Sequence, residues 1–517
     1  MAAPMTTADN QFDDLRDLVR QLKSTGPDGF EGLMAAVLTD ITKTSFGLAN
    51  SGSQRGKDGQ SVLNDGAISF EGKLYDETVP KNEILTKIAE IAADDDGAAD
   101  LWILGSTGTV ATQVVNTANA LGKKFAVGVL IADWSTVGLP TLATILAMAP
   151  AVTAKFIAGK IGASEQNILD KLDDVRQNPQ FADRTLELTR VLEQPSLGPA
   201  YALKDNEKWL QAAFGSAKRA RAVFGQPLAP GDTSVTSVLD RADLRLRFSN
   251  AIYSKHDDTI AAVVGADGNG KSWLFAQAWM HQPIKPLTVV LVPDDIKAPF
   301  SFESLEELLI SKLILQTGDT ATETSEKRWK KHFDRWKRLK GPDRPRLVVF
   351  LDGINQRESI PWVKLIDSLS EVLANLGGTL VFSCRVFFYR DNLKNRLLSR
   401  VVPFDVPEWS TAELETLLVA RGTSISKLNA SVVGSLRNPR IFAVAERLGA
   451  EKPIRSLGIF HDDDAKDGRW ALTFDDPQVL AQINSVFVTV ESSRKAIKEP
   501  GGRRVLFAFL GDKPNHP

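Results

Sequence analysis

Ten residues, Val263-Val264-Gly265-Ala266-Asp267-Gly268-Asn269-Gly270-Lys271-Ser272, carry the strongest chemical signal in the chain. Gly265, four residues and then Gly270-Lys271-Ser272 make the spacing of a phosphate-binding P-loop. Glycines at 265, 268 and 270 let the backbone turn its N–H groups inward around a phosphate, and a following helix adds positive potential. Lys271 would reach the outer phosphates of ATP, and the Ser272 hydroxyl would hold Mg2+. A second set of residues lies far upstream. Asp58 sits in the turn Gly56-Lys57-Asp58-Gly59, and Glu71 and Lys73 follow on one short apolar run. Two carboxylates can bind a divalent metal through hard oxygen ligands. The metal and an adjacent lysine can then activate water and stabilise charge on a phosphodiester. Gln54 and Glu31 are placed to complete that site from the preceding turn and helix.

Particular elements must position these groups. Thr259 to Val264 is an apolar, β-branched run, and Trp273 to Met280 can start a helix without a breaker, so the glycine loop falls between strand and helix. Leu347-Val348-Val349-Phe350-Leu351-Asp352 is a neighbouring apolar strand ending in an acid, which would hold Mg2+ through water. Leu380-Val381-Phe382-Ser383-Cys384-Arg385 is a third strand, ending in an arginine able to sense a terminal phosphate. With Leu287–Val292, these strands alternate with helical patterns, which predicts a parallel sheet with helices on both faces. In the upstream set, Ala67 to Tyr75 alternates as a half-buried strand does. That alternation puts Glu71 and Lys73 on one face and Gly72 on the other. A helix over Phe30 to Ile41 carries Glu31. Helices over 81–92 and 111–121 and strands over 101–104 and 125–131 make the first region a small α/β domain.

The expected organisation is α/β throughout: a first domain over 1–155, a charged helical connector over 156–231, a P-loop domain over 232–450, and a small strand-containing segment over 451–517. The segment from Glu326 to Arg346 is dense in lysine and arginine, with Trp329, Phe333 and Trp336 on one helical face. Core spacing of the aromatics favours an amphipathic helix over a DNA-backbone stripe. A formal net charge of −2 and 24% charged residues give no global bias towards polyanions, so any nucleic-acid surface must be local. A single cysteine, Cys384, excludes an internal disulfide framework and fits a reducing compartment. The first residues lack the basic start and apolar core of a signal peptide, and the apolar window over 142–154 is too short to span a bilayer. The expected location is cytoplasmic, with no membrane partner.

The order Phe30-Glu31, Gly56-Lys57-Asp58-Gly59 and Phe70-Glu71-Gly72-Lys73 resembles the Mrr-like branch of the PD-(D/E)xK nucleases over about residues 10 to 135. That resemblance implies a restriction-endonuclease-like domain in which Asp58 and Glu71 bind Mg2+, Lys73 is catalytic, and Glu31 is the glutamate of the first helix. Lys57 departs from the pattern, since many members have a small or apolar residue before the aspartate. Asp352-Gly353-Ile354-Asn355-Gln356, then Arg385, then Asn438-Pro439-Arg440 resembles the STAND class of signalling NTPases over about 235 to 450. Asn355 and Gln356 stand where members often carry further acids, which implies slow hydrolysis. Together the two parts resemble the antiviral STAND (Avs-like) proteins of bacteria. The resemblance implies a viral protein as trigger, homo-oligomerisation on activation, and cutting of double-stranded DNA. That family normally ends in a helical-repeat sensor, whereas residues 451–517 show no repeat; Lys452-Pro453, Ser456-Leu457-Gly458 and Val488-Thr489-Val490-Glu491 there resemble the β-domain of anti-sigma factors. The rival expectation is a nucleotide-regulated DNA-binding or scaffold protein whose nuclease-like head is inactive.

Overall fold

The computed structural model describes residues 12–49, 57–61, 68–93, 99–135, 138–224, 239–253, 260–339, 345–357, 359–420, 422, 424–428 and 430–443. Gln54 and everything expected of 451–517 lie outside these residues. The chain divides into two compact units, one from Met1–Trp209 with Glu307–Arg346, the other from Leu210–Glu306 with Leu347–Pro517.

In the first unit, helices α1 (Asp13–Arg20) and α2 (Phe30–Thr42) precede strands β1 (Phe46–Leu48), β2 (Gly59–Ser61) and β3 (Ile68–Lys73). Then come α3 (Lys81–Ala92), β4 (Leu101–Ser106), α4 (Thr112–Phe125) and β5 (Gly128–Ala132). The sheet runs β1-β2-β3-β4-β5, antiparallel through β1, β2 and β3 and parallel from β3 to β5. Alternation along β4 divides the core between the two faces. Leu101 and Ile103 join the side packed by α2, while Trp102 and Leu104 join the side packed by Ile84, Ile88, Val114 and Ala118 of α3 and α4. Burying β4 on both faces explains its unbroken apolar run. Four more helices follow: α5 (Thr141–Met148), α6 (Pro150–Ile161), α7 (Glu165–Arg176) and α8 (Phe181–Leu192). The stretch expected to serve as a connector in fact completes this core, because Ile168, Leu172, Val175, Leu188 and Leu192 pack into the same cluster as α2. No single helix is long and apolar enough to cross a membrane; α5 and α6 pass such a test only as a pair bent by 99°, among the described residues.

Helices α9 (Pro199–Phe214), α10 (Ala217–Phe224) and α11 (Ala242–Tyr253) lead to β6 (Ile260–Val264), α12 (Lys271–Met280) and β7 (Leu287–Leu291). Two helices, α13 (Phe302–Gln316) and α14 (Glu323–Arg338), separate β7 from β8 (Leu347–Leu351). The rest comprises α15 (Trp362–Leu376), β9 (Thr379–Cys384), α16 (Val386–Phe388), β10 (Val401–Asp405), α17 (Thr411–Ala420) and α18 (Ala430–Leu436). The second sheet is parallel throughout in the order β10-β6-β9-β8-β7, with β6, β7 and β8 fully buried. Strand β9 therefore lies between the strand feeding the glycine loop and the strand ending in Asp352, so the strand that supplies Asp352 is one place removed from the loop strand and not its immediate neighbour, the position expected of it.

Helix α14 belongs to the first unit although the strands on either side of it in sequence belong to the second. Trp329, Phe333 and Trp336 are buried on its apolar face. Its basic face meets the end of the first sheet. Arg335 lies 2.9 Å from the buried Asp100 carboxylate, and Lys331 Nζ donates to the Phe125 carbonyl at 2.5 Å. Arg328 donates to Gln194 Oε1 at 2.7 Å and to the Ala126 carbonyl at 3.3 Å. Burial pushes the Asp100 carboxyl up to about 6 against the pull of Arg335, and burial holds His332 neutral, well below its ordinary range.

Candidate functional site

In the second unit, the glycine loop leaves the C-terminal end of β6, where open parallel sheets present their clefts. Gly268 and Gly270 have φ of +82° and +86°, the left-handed region that a side chain rarely occupies. Gly268 is also closely covered, since a Cβ there would stand 2.5 Å from Asn438 Oδ1 and 2.8 Å from the Arg440 Cβ. Gly270 is the N-cap of α12 and supplies no capping side chain, which leaves the first N–H groups of the helix facing the loop. Lys271 folds over the same loop and donates to the carbonyls of Ala266 at 2.8 Å and Gly265 at 3.2 Å. Burial lowers its pKa, while Asp267 and Asp352 act to hold the ammonium charged.

The ends of β8 and β9 converge on this loop. The Ser272 hydroxyl lies 2.6 and 2.8 Å from the two Asp352 carboxylate oxygens. The Ser383 hydroxyl donates to Asp352 Oδ1 at 2.5 Å and accepts from the Gly353 N–H at 2.8 Å. A buried hydroxyl and carboxylate in direct contact beside the loop are a donor set that fits Mg2+ with water completing its shell. Burial pushes the neighbouring Cys384 thiol up to about 12, so it is neutral. Arg385, at the end of β9, is fastened through its N–H to Asn355 Oδ1 at 3.2 Å. Asn438 reaches back from the turn after α18, donating to the Asp267 carbonyl at 2.7 Å and to Asn269 Oδ1 at 3.2 Å. Ser383 was not singled out in the sequence; a hydroxyl near the C-terminal end of an otherwise apolar strand was the available signal.

In the first unit, β3 and the turn before β2 bring together Asp58, Glu71 and Lys73. Lys73 Nζ lies 3.1 Å from Glu71 Oε1 and 3.6 Å from Asp58 Oδ2. Asp58 Oδ2 also accepts from the Gly72 N–H at 2.9 Å, which locks the turn to the strand. Gly72 faces α2, where a Cβ would stand 3.2 Å from the Phe30 ring, and this close approach sets Glu31 beside the strand. The Glu31 carboxylate accepts from the Gly26 N–H at 2.8 Å. Burial pushes the Glu71 carboxyl up to about 7; Lys73 pulls it back and Asp58 pushes it further. Burial opposes the Lys73 charge, yet Glu71 and Asp58 hold its pKa above the ordinary value. A buried carboxylate pair that one lysine does not fully neutralise fits a divalent cation. Burial pushes the Glu31 carboxyl up, the Gly26 N–H lowers it, and Asp58 and Lys73 act on it in opposite directions, so it stands near the pair. No group of three or more acidic, histidine or cysteine side chains suited to a metal occurs among the described residues.

No family model matches the chain, and no curated protein matches it. Among solved structures the chain is similar to Drosophila ORC bound to DNA, at 14% identity over 36% of this chain and 48% of that one, with a TM-score of 0.26. It is similar also to the Aeropyrum pernix ORC1 protein in complex with DNA, at 16% identity over 44% of this chain and 64% of that one, with a TM-score of 0.29. The chain thus spans roughly half to two thirds of these structures, and TM-scores this low carry no functional argument.

Proposed function

We propose that this chain is a nucleotide-switched DNA endonuclease of bacterial anti-phage defence, acting in the cytoplasm. ATP binding by the glycine loop drives homo-oligomerisation, a viral protein serves as the trigger, and the assembled heads cut double-stranded DNA. The observation that carries the reading is the Lys73 ammonium set between the buried carboxylates of Asp58 and Glu71. When bound there, Mg2+ supplies Lewis acidity and a more acidic water. The chain's own groups do the rest. Asp58 and Glu71 hold the cation's position, the Gly72 N–H keeps Asp58 oriented, and Lys73 stabilises charge developing on the phosphodiester. At the loop, Lys271 and the N-terminal N–H groups of α12 bind the polyphosphate, while Ser272 and Asp352 hold its metal. Asn355 and Gln356 follow Asp352 where a carboxylate would polarise the attacking water, which suits a switch that keeps its nucleotide for long periods.

One observation favours a second reading, in which the head binds DNA without cutting it: the Glu31 carboxylate accepts from the Gly26 N–H, and no group of three metal-suited side chains occurs among the described residues. Plasmid cleavage decides between them. Cutting that requires both Mg2+ and ATP, and that Lys73→Ala abolishes, is the expected result. DNA retention without any cutting under all conditions would leave the second reading standing.

A further inference from the structure

The glycine loop contains a residue that the phosphate chemistry does not call for. Asp267 places a carboxylate in a loop whose task is to receive anions, where a negative charge opposes binding. Its oxygens are directed at two arginines from different elements. Arg440 Nη1 lies 2.9 Å from Oδ2, and Arg385 Nη2 lies 3.6 Å from Oδ1. Arg385 comes from the end of β9, beside Ser383 and Cys384, and Arg440 comes from the helical residues 439–443 that open at the turn following α18. All three side chains are partly exposed, at 33% for Asp267, 35% for Arg440 and 24% for Arg385, so an incoming anion can reach the cluster. Arg385 Nε is buried without a hydrogen-bond partner among the described residues. The same turn is tied to the loop by its backbone, because the Arg440 N–H donates to the Gly268 carbonyl at 3.2 Å.

We propose that Asp267 is an internal stand-in for phosphate: it holds Arg385 and Arg440 at the mouth of the loop until the outer phosphates of a nucleotide displace it. This inference rests on the reading of the loop as a nucleotide site and adds how that site tells a triphosphate from a monophosphate. A guanidinium pairs with phosphate oxygens through the same planar fork that it offers a carboxylate, and a polyphosphate tail brings several negative charges against one. The exchange has two consequences. Ligands with outer phosphates face a competitor that ligands without them do not meet. Transfer of Arg440 from Asp267 to the ligand also removes one of the ties that fasten the turn after α18 to the loop, so that phosphate occupancy is reported to that turn. Asn438 and the Arg440 N–H keep the turn in place while the exchange happens.

The test compares the full-length wild type with Asp267→Asn, a variant of the same size without the charge. Calorimetric titration with ATP, ADP, AMP and inorganic tripolyphosphate is paired with hydrogen exchange over 437–443 in the absence of any ligand. Removing the competing charge should tighten ATP and tripolyphosphate by about 10-fold or more and change AMP by less than about 2-fold. Exchange over 437–443 should quicken in the variant, since Arg440 has lost one of its ties to the loop. Weaker ATP binding, or an equal change for ATP and AMP, would make Asp267 a plain scaffold residue and overturn the proposal. Unchanged exchange would do the same for the tie to the turn. If neither protein binds any of the four ligands, the nucleotide reading itself falls and takes this inference with it, an outcome distinct from binding that lacks the phosphate-dependent gain.

Discussion

Replacing Glu71 by glutamine should make the protein more stable while ending its cutting. Burial holds the Glu71 carboxyl at about 7 in the folded chain against an ordinary value of 4.5. The difference is about 2.5 pH units, and at about 1.36 kcal/mol per unit the ionised carboxylate costs the folded state about 3 kcal/mol. The sign follows from where the proton sits. Below about pH 4.5 the group is neutral in folded and unfolded chains alike and contributes nothing. As pH rises towards 7 the unfolded chain ionises first, so the penalty grows, and above about 7 it is fully present. Glutamine never pays it. In EDTA, Glu71→Gln should exceed the wild type by up to about 3 kcal/mol at pH 8.5 and match it near pH 4. A stability of about 5–15 kcal/mol is usual for a domain, so a change of this size is readily seen in urea denaturation. Mg2+ should raise the wild-type midpoint at pH 8.5 and leave that of the variant almost unmoved, because the cation relieves the same uncompensated charge. A variant no more stable than the wild type at pH 8.5 without metal would refute the reasoning, since Glu71 would then already be neutralised by Lys73.

Lys271→Ala should weaken ATP binding by about 100-fold, the loss of charge-assisted bonds worth about 3 kcal/mol, as read by calorimetry. The same variant should lose DNA cutting through failed assembly, so fusing a dimeriser to it should restore plasmid cleavage, whereas the same fusion should not rescue Lys73→Ala. Trp336→Ala should cost about 3–5 kcal/mol in urea denaturation because its ring is fully buried, while Lys330→Glu and Lys337→Glu on α14 should leave DNA affinity in a filter assay unchanged. A sharp loss of DNA binding by the lysine variants would restore the helix as a DNA-backbone stripe.

The parts of the fold that sequence reading reaches are those governed by local rules. Strands β6, β7 and β8 are buried and, Thr288 apart, apolar, and the run of residue types alone marks them. Spacing along β3 is likewise local and puts Glu71 and Lys73 on one face, although the strand is buried along its length up to Lys73 where alternation predicts a half-buried one. Other features depend on partners distant in sequence. Strand β10 carries Pro403 and lies at the sheet edge with an exposed pattern, so neither periodicity nor composition marks it, yet it carries the chain to Val406, whose carbonyl accepts from Asn269 of the loop at 2.9 Å. Strands β1 and β2 are three residues each, too short for any period to show. The place of β9 between β6 and β8 is a matter of strand order, which the succession of strands along the chain does not specify. Asp267 was hidden by its surroundings: within a glycine-rich loop it reads as a turn residue, and its two arginine partners lie more than a hundred residues downstream.

The passage of α14 into the first unit bears on how such a protein can be cut, fused or inherited. Because that unit is assembled from two separate stretches of chain, the polypeptide passes between the units three times, after Trp209, Glu306 and Arg346. A gene fragment ending near residue 209 would encode a head without the helix that meets Asp100. The complementary fragment would carry Arg328, Lys331 and Arg335 without the Asp100 carboxylate and the carbonyls of Phe125 and Ala126 that they meet. Moving the first unit onto another partner therefore takes more than joining at one seam, since the recipient must also carry a matching helix between its second and third strands. Units interleaved in this way are expected to travel together as a pair.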